Sequence, residues 1–469
     1  MTSDSYDLVV IGAGSGGLVA ARFAAKLGAR VALVEKSRIG GDCTWTGCVP
    51  SKALLKAAKI AHGVRTASHY GVIANAPVID MERVRTYVRG AIQAVYQFET
   101  PEQLQADGVD VVLGAAQFVD AFTIAIGERR VHSKNFLLTT GARPHIPPID
   151  GLNGVPFVTY ENIFDNEVLP KSMIVVGAGP VGMEMAQAYQ RLGAQVTVVA
   201  KRLLPKEDHD VQTKMQSLLE REGIRFVLEQ ATRAHRDGEA IVIATEKTEV
   251  RGDLLLIAAG RKPVVDELNL EKAGVQHSPR GIVVDDRLRT NIKHIYAAGD
   301  VAGGYQFTHF AGWQAFEAVR NALLPGSSPG MTDLVPWVTF TDPEVAHIGL
   351  SEKDAIAQFG RGARVHRWSM GRVDRAVCEN DTSGFIKIIT NEDGTIVGST
   401  IIAARAGESI VELVVAMKES IKIGELASAI HPYPTYSTAV QQMAADIAVD
   451  DLLSGTSGKL VRVLSKIVR

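Results

Sequence analysis

Apolar residues gather in short runs that end in glycine, and one arrangement of them occurs twice. Leu8–Ile11 is an apolar run followed by Gly12, Gly14 and Gly17; a helical stretch, Leu18–Lys26, leads to a second run, Val31–Val34, closed by Glu35. Later, Met173–Val176 leads into Gly177, Gly179 and Gly182, then a helical stretch Met183–Leu192 and the run Val196–Val199. Short buried-type runs on either side of a helical pattern predict βαβ units and a parallel sheet. Each unit also has a later echo: Leu137–Pro144 reads LLTTGARP and Leu256–Pro263 reads LIAAGRKP, an apolar strand ending in Gly with a Pro three residues on. Two nucleotide-binding modules of related design are the economical account.

The rest of the chain breaks the pattern in informative places. Pro144–Pro148 is a Pro-rich joint, Asn291–Asp300 reads as a strand ending in Gly-Asp, and Val335–Pro343 carries Pro336 and Pro343 around a short apolar run. Beyond it, Phe385–Ile389 and Ile396–Ala403 predict antiparallel strands joined through a turn at Asn391–Gly394, and Glu408–Ser420 and Thr438–Leu453 predict helices. The expected fold class is α/β: two Rossmann-like dinucleotide-binding domains plus a C-terminal α+β domain.

Composition narrows the partners. The 469 residues carry 50 Lys plus Arg against 52 Asp plus Glu, a net charge of −2, with no basic block. That balance argues against nucleic acid or an anionic membrane surface. No apolar run approaches the ~20 residues of a membrane span, and no basic segment with an apolar core opens the chain as a secretory signal would. Three cysteines exclude a disulfide scaffold and a four-cysteine zinc site, which makes a reducing, cytoplasmic setting the expectation.

The glycine triads point to pyrophosphate. Glycines allow a tight turn and close backbone approach, and the helix N-terminus favours the negative charge. Glu35, 23 residues after Gly12, stands where a carboxylate accepts from an adenosine ribose 2′-hydroxyl. The same offset from Gly177 gives Ala200, followed by Lys201 and Arg202. Loss of the acid and gain of two cations suit a 2′-phosphate, so the second site favours NADPH. The competing reading makes Lys201 and Arg202 solvated loop cations.

Gly40–Lys52 reads GGDCTWTGCVPSK and places Cys43 and Cys48 five apart. A regular helix would separate them by about 7.5 Å along its axis, beyond the ~4.4–6.8 Å of a disulfide. If the pair closes, the segment is distorted; Gly40, Gly41 and Gly47 supply the freedom, and Pro50 suits a helix start. Thiols at a helix N-terminus are acidified. A free buried pair is the alternative, and Cys378 is alone in RAVCEND.

GGDCTWTGCVPSK set between two dinucleotide fingerprints resembles the flavoprotein disulfide reductases, among them dihydrolipoamide dehydrogenase, glutathione reductase and mercuric reductase. The resemblance runs from Asp7 to about Leu453. It implies an FAD domain built from 1–148 and 271–335, an NAD(P)H domain at 149–270, and a C-terminal interface domain at 336–469 that forms a homodimer whose active sites the partner subunit completes. Under it, Cys48 is the thiolate against the flavin and Cys43 the thiol that meets substrate. Lys52 lies near the flavin, paired with Glu184, and Asp300 binds the ribityl chain. Ala116, Gly141, Thr308 and Gly260 fall where the family contacts its nucleotides.

One departure bears on the acceptor. Disulfide-reducing members carry a His-Pro with a Glu five residues after the His; aligned on Pro434 and Thr435, those positions here are Tyr433 and Thr438, with His431 two residues upstream. A tyrosine with pKa near ~10 is a poor general base at neutral pH, and His431 reads equally as catalytic or as a cap or core histidine. The expected activity is that of an NADPH- and FAD-dependent oxidoreductase with a Cys43–Cys48 redox disulfide, mercuric-reductase-like in its acceptor. Dihydrolipoamide dehydrogenase or small-disulfide reductase activity is the alternative, and an FAD-holding redox sensor is the reading from another class.

Overall fold

The computed structural model describes residues 4–453 together with Gly458 and Ile467. By packing, the chain divides into two units, Met1–Lys201 with Ile224–Thr332, and Arg202–Gly223 with Asp333–Arg469.

The first unit holds two parallel sheets. In one, the strands run in the order Ile295–Ala297, Phe136–Leu138, Leu8–Ile11, Val31–Glu35, Val109–Leu113, all parallel. Leu8, Val9 and Val10 are wholly buried. A central parallel strand is covered on both faces, which is why it reads as an unbroken apolar run rather than an alternating one. The second sheet repeats the design in four parallel strands: Arg225–Val227, Gln195–Val199, Ser172–Val176 and Leu254–Ile257. Antiparallel elements accompany them, among them a meander over 233–252 and the strands 116–133, whose last strand pairs in parallel with Asp4–Tyr6.

The fingerprint helices start earlier than periodicity predicts. They span Ser15–Lys26 and Pro180–Leu192, so each begins one residue after the middle glycine. The first turn of a helix makes no intrahelical N–H bonds, so glycine, serine or proline there costs little, and proline at the first position is favoured. The two Gly-x-x-Pro echoes also have a joint purpose. Ala142–Pro144 and Arg261–Pro263 pair with each other as an antiparallel two-stranded ribbon, so the exits of the two modules meet.

The second unit is built on a five-stranded antiparallel sheet, ordered Trp337–Thr339, Glu344–Gly349, Ile396–Ala403, Phe385–Thr390, Arg364–Ser369. The helix Ala406–Lys418 packs on it, two residues earlier at each end than its pattern suggests, and His209–Arg221 and Thr438–Leu453 are the other long helices of the unit. Lys387, on the strand Phe385–Thr390, lies on the face opposite Ile386 and Ile388 of the apolar core, with no exposed side-chain area. Its ammonium is 2.8 Å from Asp208, 2.8 Å from Asp210 and 3.4 Å from Glu352. Those three carboxylates converge as metal ligands would, and Lys387 Nζ fills their centre.

Candidate active site

The two glycine triads do the same three jobs. Gly12 and Gly177 have φ of +103° and +110°, and a Cβ on either would lie 2.4 or 2.3 Å from the carbonyl oxygen of Thr139 or Ala258. A Cβ on Gly17 or Gly182 would strike the Gly12 or Gly177 carbonyl at 1.8 or 2.1 Å. Here glycine is demanded by the turn and by the seating of the helix on its own strand. The middle glycines face open space: a Cβ on Gly14 would meet only Gly41 Cα at 3.9 Å, and one on Gly179 nothing within 4 Å. That is the room a backbone needs to approach a pyrophosphate. Glu35 closes the first module; its carboxylate accepts from Ala13 N–H at 2.8 Å and Ser37 N–H at 2.7 Å, beside the fingerprint turn. Lys201 and Arg202 follow the matching strand of the second module and are exposed. These features fit FAD at the first triad and NAD(P)H at the second.

Cys43 and Cys48 lie on two different helices. Cys43 is in the five-residue helix Gly41–Trp45, the chain breaks direction at Thr46 and Gly47, and Cys48 opens the nineteen-residue helix Cys48–Thr66. This is the distortion that the spacing requires of a pair that closes. Cys48 Sγ lies 3.1 Å from Thr308 Oγ1, at the start of the helix Thr308–Leu323. Cys48 is pulled down to about 6, first by the hydrogen bond from the Cys43 thiol, then by the Thr308 hydroxyl and the Lys52 charge, against the opposing effect of burial. Cys43 is pushed well above the usual thiol range by that same hydrogen bond and by burial. The two sulfurs thus divide into a stable thiolate and a proton-bearing partner.

Lys52, one turn beyond Cys48, places Nζ 2.9 Å from the buried Glu184 carboxylate on the helix of the second fingerprint. Asp300 sits in a short turn after the strand Ile295–Ala297, where burial raises its pKa against the pull of Arg261. Gly141 and Gly260 hold matching places before the exit ribbon, and a Cβ on either would have space. Ala116 is buried at the start of a strand paired to Ile126.

Three residues of this site escaped the sequence. Arg261 bonds Asp42 and Asp300, and Tyr160 lies under its guanidinium. Asp42 was inside the cysteine motif and Arg261 inside the second echo, but nothing in either segment pairs them.

In the second unit His431 is tied to its own surroundings. Its Nε2 lies 2.8 Å from the Glu412 carboxylate and its Nδ1 2.9 Å from the Ala429 carbonyl. A carboxylate and a carbonyl are both acceptors, and such partners favour the protonated ring. Burial lowers the His431 pKa, but the Glu412 and Ala429 bonds outweigh it and raise it. The ring ties the loop to the helix Ala406–Lys418 through Glu412. Tyr433 is 68% exposed and its hydroxyl donates to Asp374. Thr438 begins the helix Thr438–Leu453 and is buried. The exposed Cys378 ends a short helix.

A flavin-type first module, a nicotinamide-type second module and a polarised cysteine pair define a dithiol oxidoreductase fed by a pyridine nucleotide. Residues 6–315 match the family described as pyridine nucleotide-disulphide oxidoreductase, and residues 335–444 match its dimerisation domain. The chain belongs to this family, whose members are enzymes that use FAD and NAD(P)H. It is 34% identical over 462 residues to a mercuric reductase of Streptomyces lividans, covering 95% of this chain and 97% of that one. A mercuric reductase of Shewanella putrefaciens is 35% identical over 448 residues, 92% of this chain and 80% of that one. A dihydrolipoyl dehydrogenase of Haloferax volcanii is 34% identical over 459 residues, 93% of this chain and 95% of that one. Among solved structures, the HOCl-induced flavoprotein disulfide reductase RclA from Escherichia coli superposes with a TM-score of 0.85 at 26% identity, covering 94% of this chain and 99% of that one. Among the described residues no helix is long and apolar enough to cross a membrane.

Proposed function

We propose that the chain is a homodimeric, NADPH-dependent flavoprotein that delivers electrons through the Cys43–Cys48 disulfide to a soft metal ion, as the names of its mercuric reductase relatives suggest. Residues 1–148 and 271–335 would hold FAD, 149–270 NADPH, and 336–469 the partner subunit. Bound FAD supplies the ring that links the nicotinamide to the disulfide. The fingerprint glycines hold the two pyrophosphates, Glu35 the ribose of the first nucleotide, and Lys52, oriented by Glu184, stands beside Cys48 to keep its sulfur anionic.

The observation that carries the acceptor is the state of residues 431–438. Reducing a disulfide expels a thiolate, and a positioned acid speeds such a step by roughly 10²–10⁴-fold. In this chain His431 has both nitrogens bound to acceptors, the Tyr433 hydroxyl is bound to Asp374, and Thr438 is buried at a helix start. A mercuric ion needs no acid: the Cys48 thiolate and the Cys43 thiol give up two electrons and close to the disulfide as Hg(II) becomes Hg(0), and the Cys43 proton leaves to solvent. Its affinity for thiolate does the rest. Faster NADPH oxidation with Hg(II), or with a quinone-type acceptor, than with lipoamide or oxidised glutathione is therefore expected in steady-state kcat/KM. Tyr433→His with Thr438→Glu should raise the disulfide reductase rate, while His431→Ala leaves it low. Rapid lipoamide reduction by the wild type would instead favour the dihydrolipoyl dehydrogenase reading, and bound FAD without turnover on any acceptor the sensor.

Nucleotide choice gives a separate expectation. With Ala200, Lys201 and Arg202 in place of an acid, kcat/KM for NADPH should exceed that for NADH. Neutralising both cations should cost about 10- to 150-fold with NADPH, the equivalent of ~1.5–3 kcal/mol for a charge-assisted phosphate contact. NADH should be nearly unaffected. Equal wild-type rates with both nucleotides would refute the 2′-phosphate assignment.

A further inference from the structure

We infer that Arg261 is a positioning residue for the cysteine pair, acting through Asp42; the inference rests on reading Cys43 and Cys48 as the redox centre. Arg261 opens the exit strand of the second module, and its side chain reaches into the first. Its Nη2 donates to Asp42 Oδ2 at 2.7 Å, its Nε to Asp300 Oδ2 at 3.2 Å, and its guanidinium lies 4.7 Å from the centre of the Tyr160 ring. The Tyr160 hydroxyl donates to the same Asp42 oxygen at 3.2 Å. One planar cation therefore binds the residue before Cys43 and the residue expected to meet the flavin. Lysine, a point charge without a fork, would not match both.

Asp42 matters because of where it stands. The helix Gly41–Trp45 has five residues, too few to be stable without outside ties. Its far end is held by Thr44 Oγ1 on Glu99 at 2.8 Å and by Trp45 Nε1 on the Ile39 carbonyl at 2.7 Å. Its near end, next to Cys43, is held through Asp42 by Arg261 and Tyr160. Cys43 follows Asp42 directly on this helix, and it is the neighbour that does most to lower the Cys48 pKa. Without Arg261, Asp42 loses the guanidinium that anchors it, and the near end of the helix is held by Tyr160 alone. Letting Cys43 drift from Cys48 disfavours the Cys48 thiolate. The other groups facing the pair are Lys52, Glu184 and Thr308 at Cys48, and Ser15 and Thr308 at Cys43, and none of them is changed by the substitution.

The test is a double-mutant cycle read as a pH profile. The rate of iodoacetamide alkylation of Cys48 is followed against pH by site-resolved mass spectrometry in the reduced holoprotein. The wild-type midpoint is expected near 6. Arg261→Gln should raise it by about 1 pH unit or more, and Arg261→Lys by less. In an Asp42→Asn background, Arg261→Gln should move it no further. An unmoved midpoint in Arg261→Gln, or an equal shift with and without Asp42, would overturn the inference. If Arg261→Gln does not fold, the same cycle is run with Arg261→Lys. Failure of the redox reading itself appears elsewhere, in the number of electrons the protein accepts, so the two can be told apart.

Discussion

Cys48→Ser is expected to lower turnover with every acceptor by roughly 10³-fold or more, as removal of a group that takes part covalently does. Cys43→Ser should do the same, yet the two variants should look different. Cys48 is the sulfur held as thiolate, so only a protein that keeps it can show long-wavelength charge-transfer absorption with oxidised flavin. Cys43→Ser should show that band without any reductant; Cys48→Ser should never show it. The band in Cys43→Ser should also titrate. Cys48 has lost the Cys43 hydrogen bond that did most to pull its pKa to about 6, so the thiolate should form with a midpoint above that value, and the band should grow as pH rises through it. Absorption spectra and acceptor kinetics on FAD-loaded variants check both points. Equal spectra for the two variants would show that the cysteines are not divided in the way their surroundings suggest.

Lys387→Met should be the most destabilising single change in the second unit. The wild-type ammonium has no exposed area and answers three carboxylates. Removing one partner of a buried ion pair typically costs about 3–5 kcal/mol. The acids here are partly exposed and water can reach them, so about 2–4 kcal/mol is expected, a fall of roughly 5–10 °C in the thermal midpoint. The pH dependence has a definite sign. Burial opposes it, but hydrogen bonds to Asp208 and Asp210 raise the Lys387 pKa, so its contribution is full below the unfolded value of ~10.4 and fades as pH rises through the folded one. Asp210 is held below the usual carboxylate range, against burial, by Lys387 and Arg367, so its share is full above ~3.9 and fades as pH falls through the folded value. The gap between wild type and variant should hold steady from about pH 5 to 9 and close in acid. A thermal melt series over pH measures it; a variant as stable as the wild type at pH 7 would contradict the account of this core.

What the sequence disclosed and what it hid follow one physical rule. Parallel strands buried on both faces must be apolar throughout, so Leu8–Ile11 and Met173–Val176 announced themselves. The fingerprint glycines are forced by carbonyls only a few residues or one strand away, and that demand is written locally. Side chains that meet across the fold leave no such mark. Arg261 and Asp42 are 219 positions apart, and Lys387 and Asp208 are 179 apart. His431 offered a chemistry the sequence could name, but its partner Glu412 lies 19 positions earlier on the helix Ala406–Lys418, and the two meet only in the fold. Lys387 shows the reverse error that patterning invites: a lysine in an apolar strand reads as a solvent-facing residue, and here it is buried among three carboxylates.

The central claim is that the chain stores electrons in two places, a bound flavin and the Cys43–Cys48 disulfide. Anaerobic titration of the oxidised holoprotein with dithionite, followed by absorbance, counts them. Uptake of four electrons per chain, with charge-transfer absorption appearing after the first two, is the predicted result. Uptake of only two, with bleaching of the flavin and no such absorption, would contradict it.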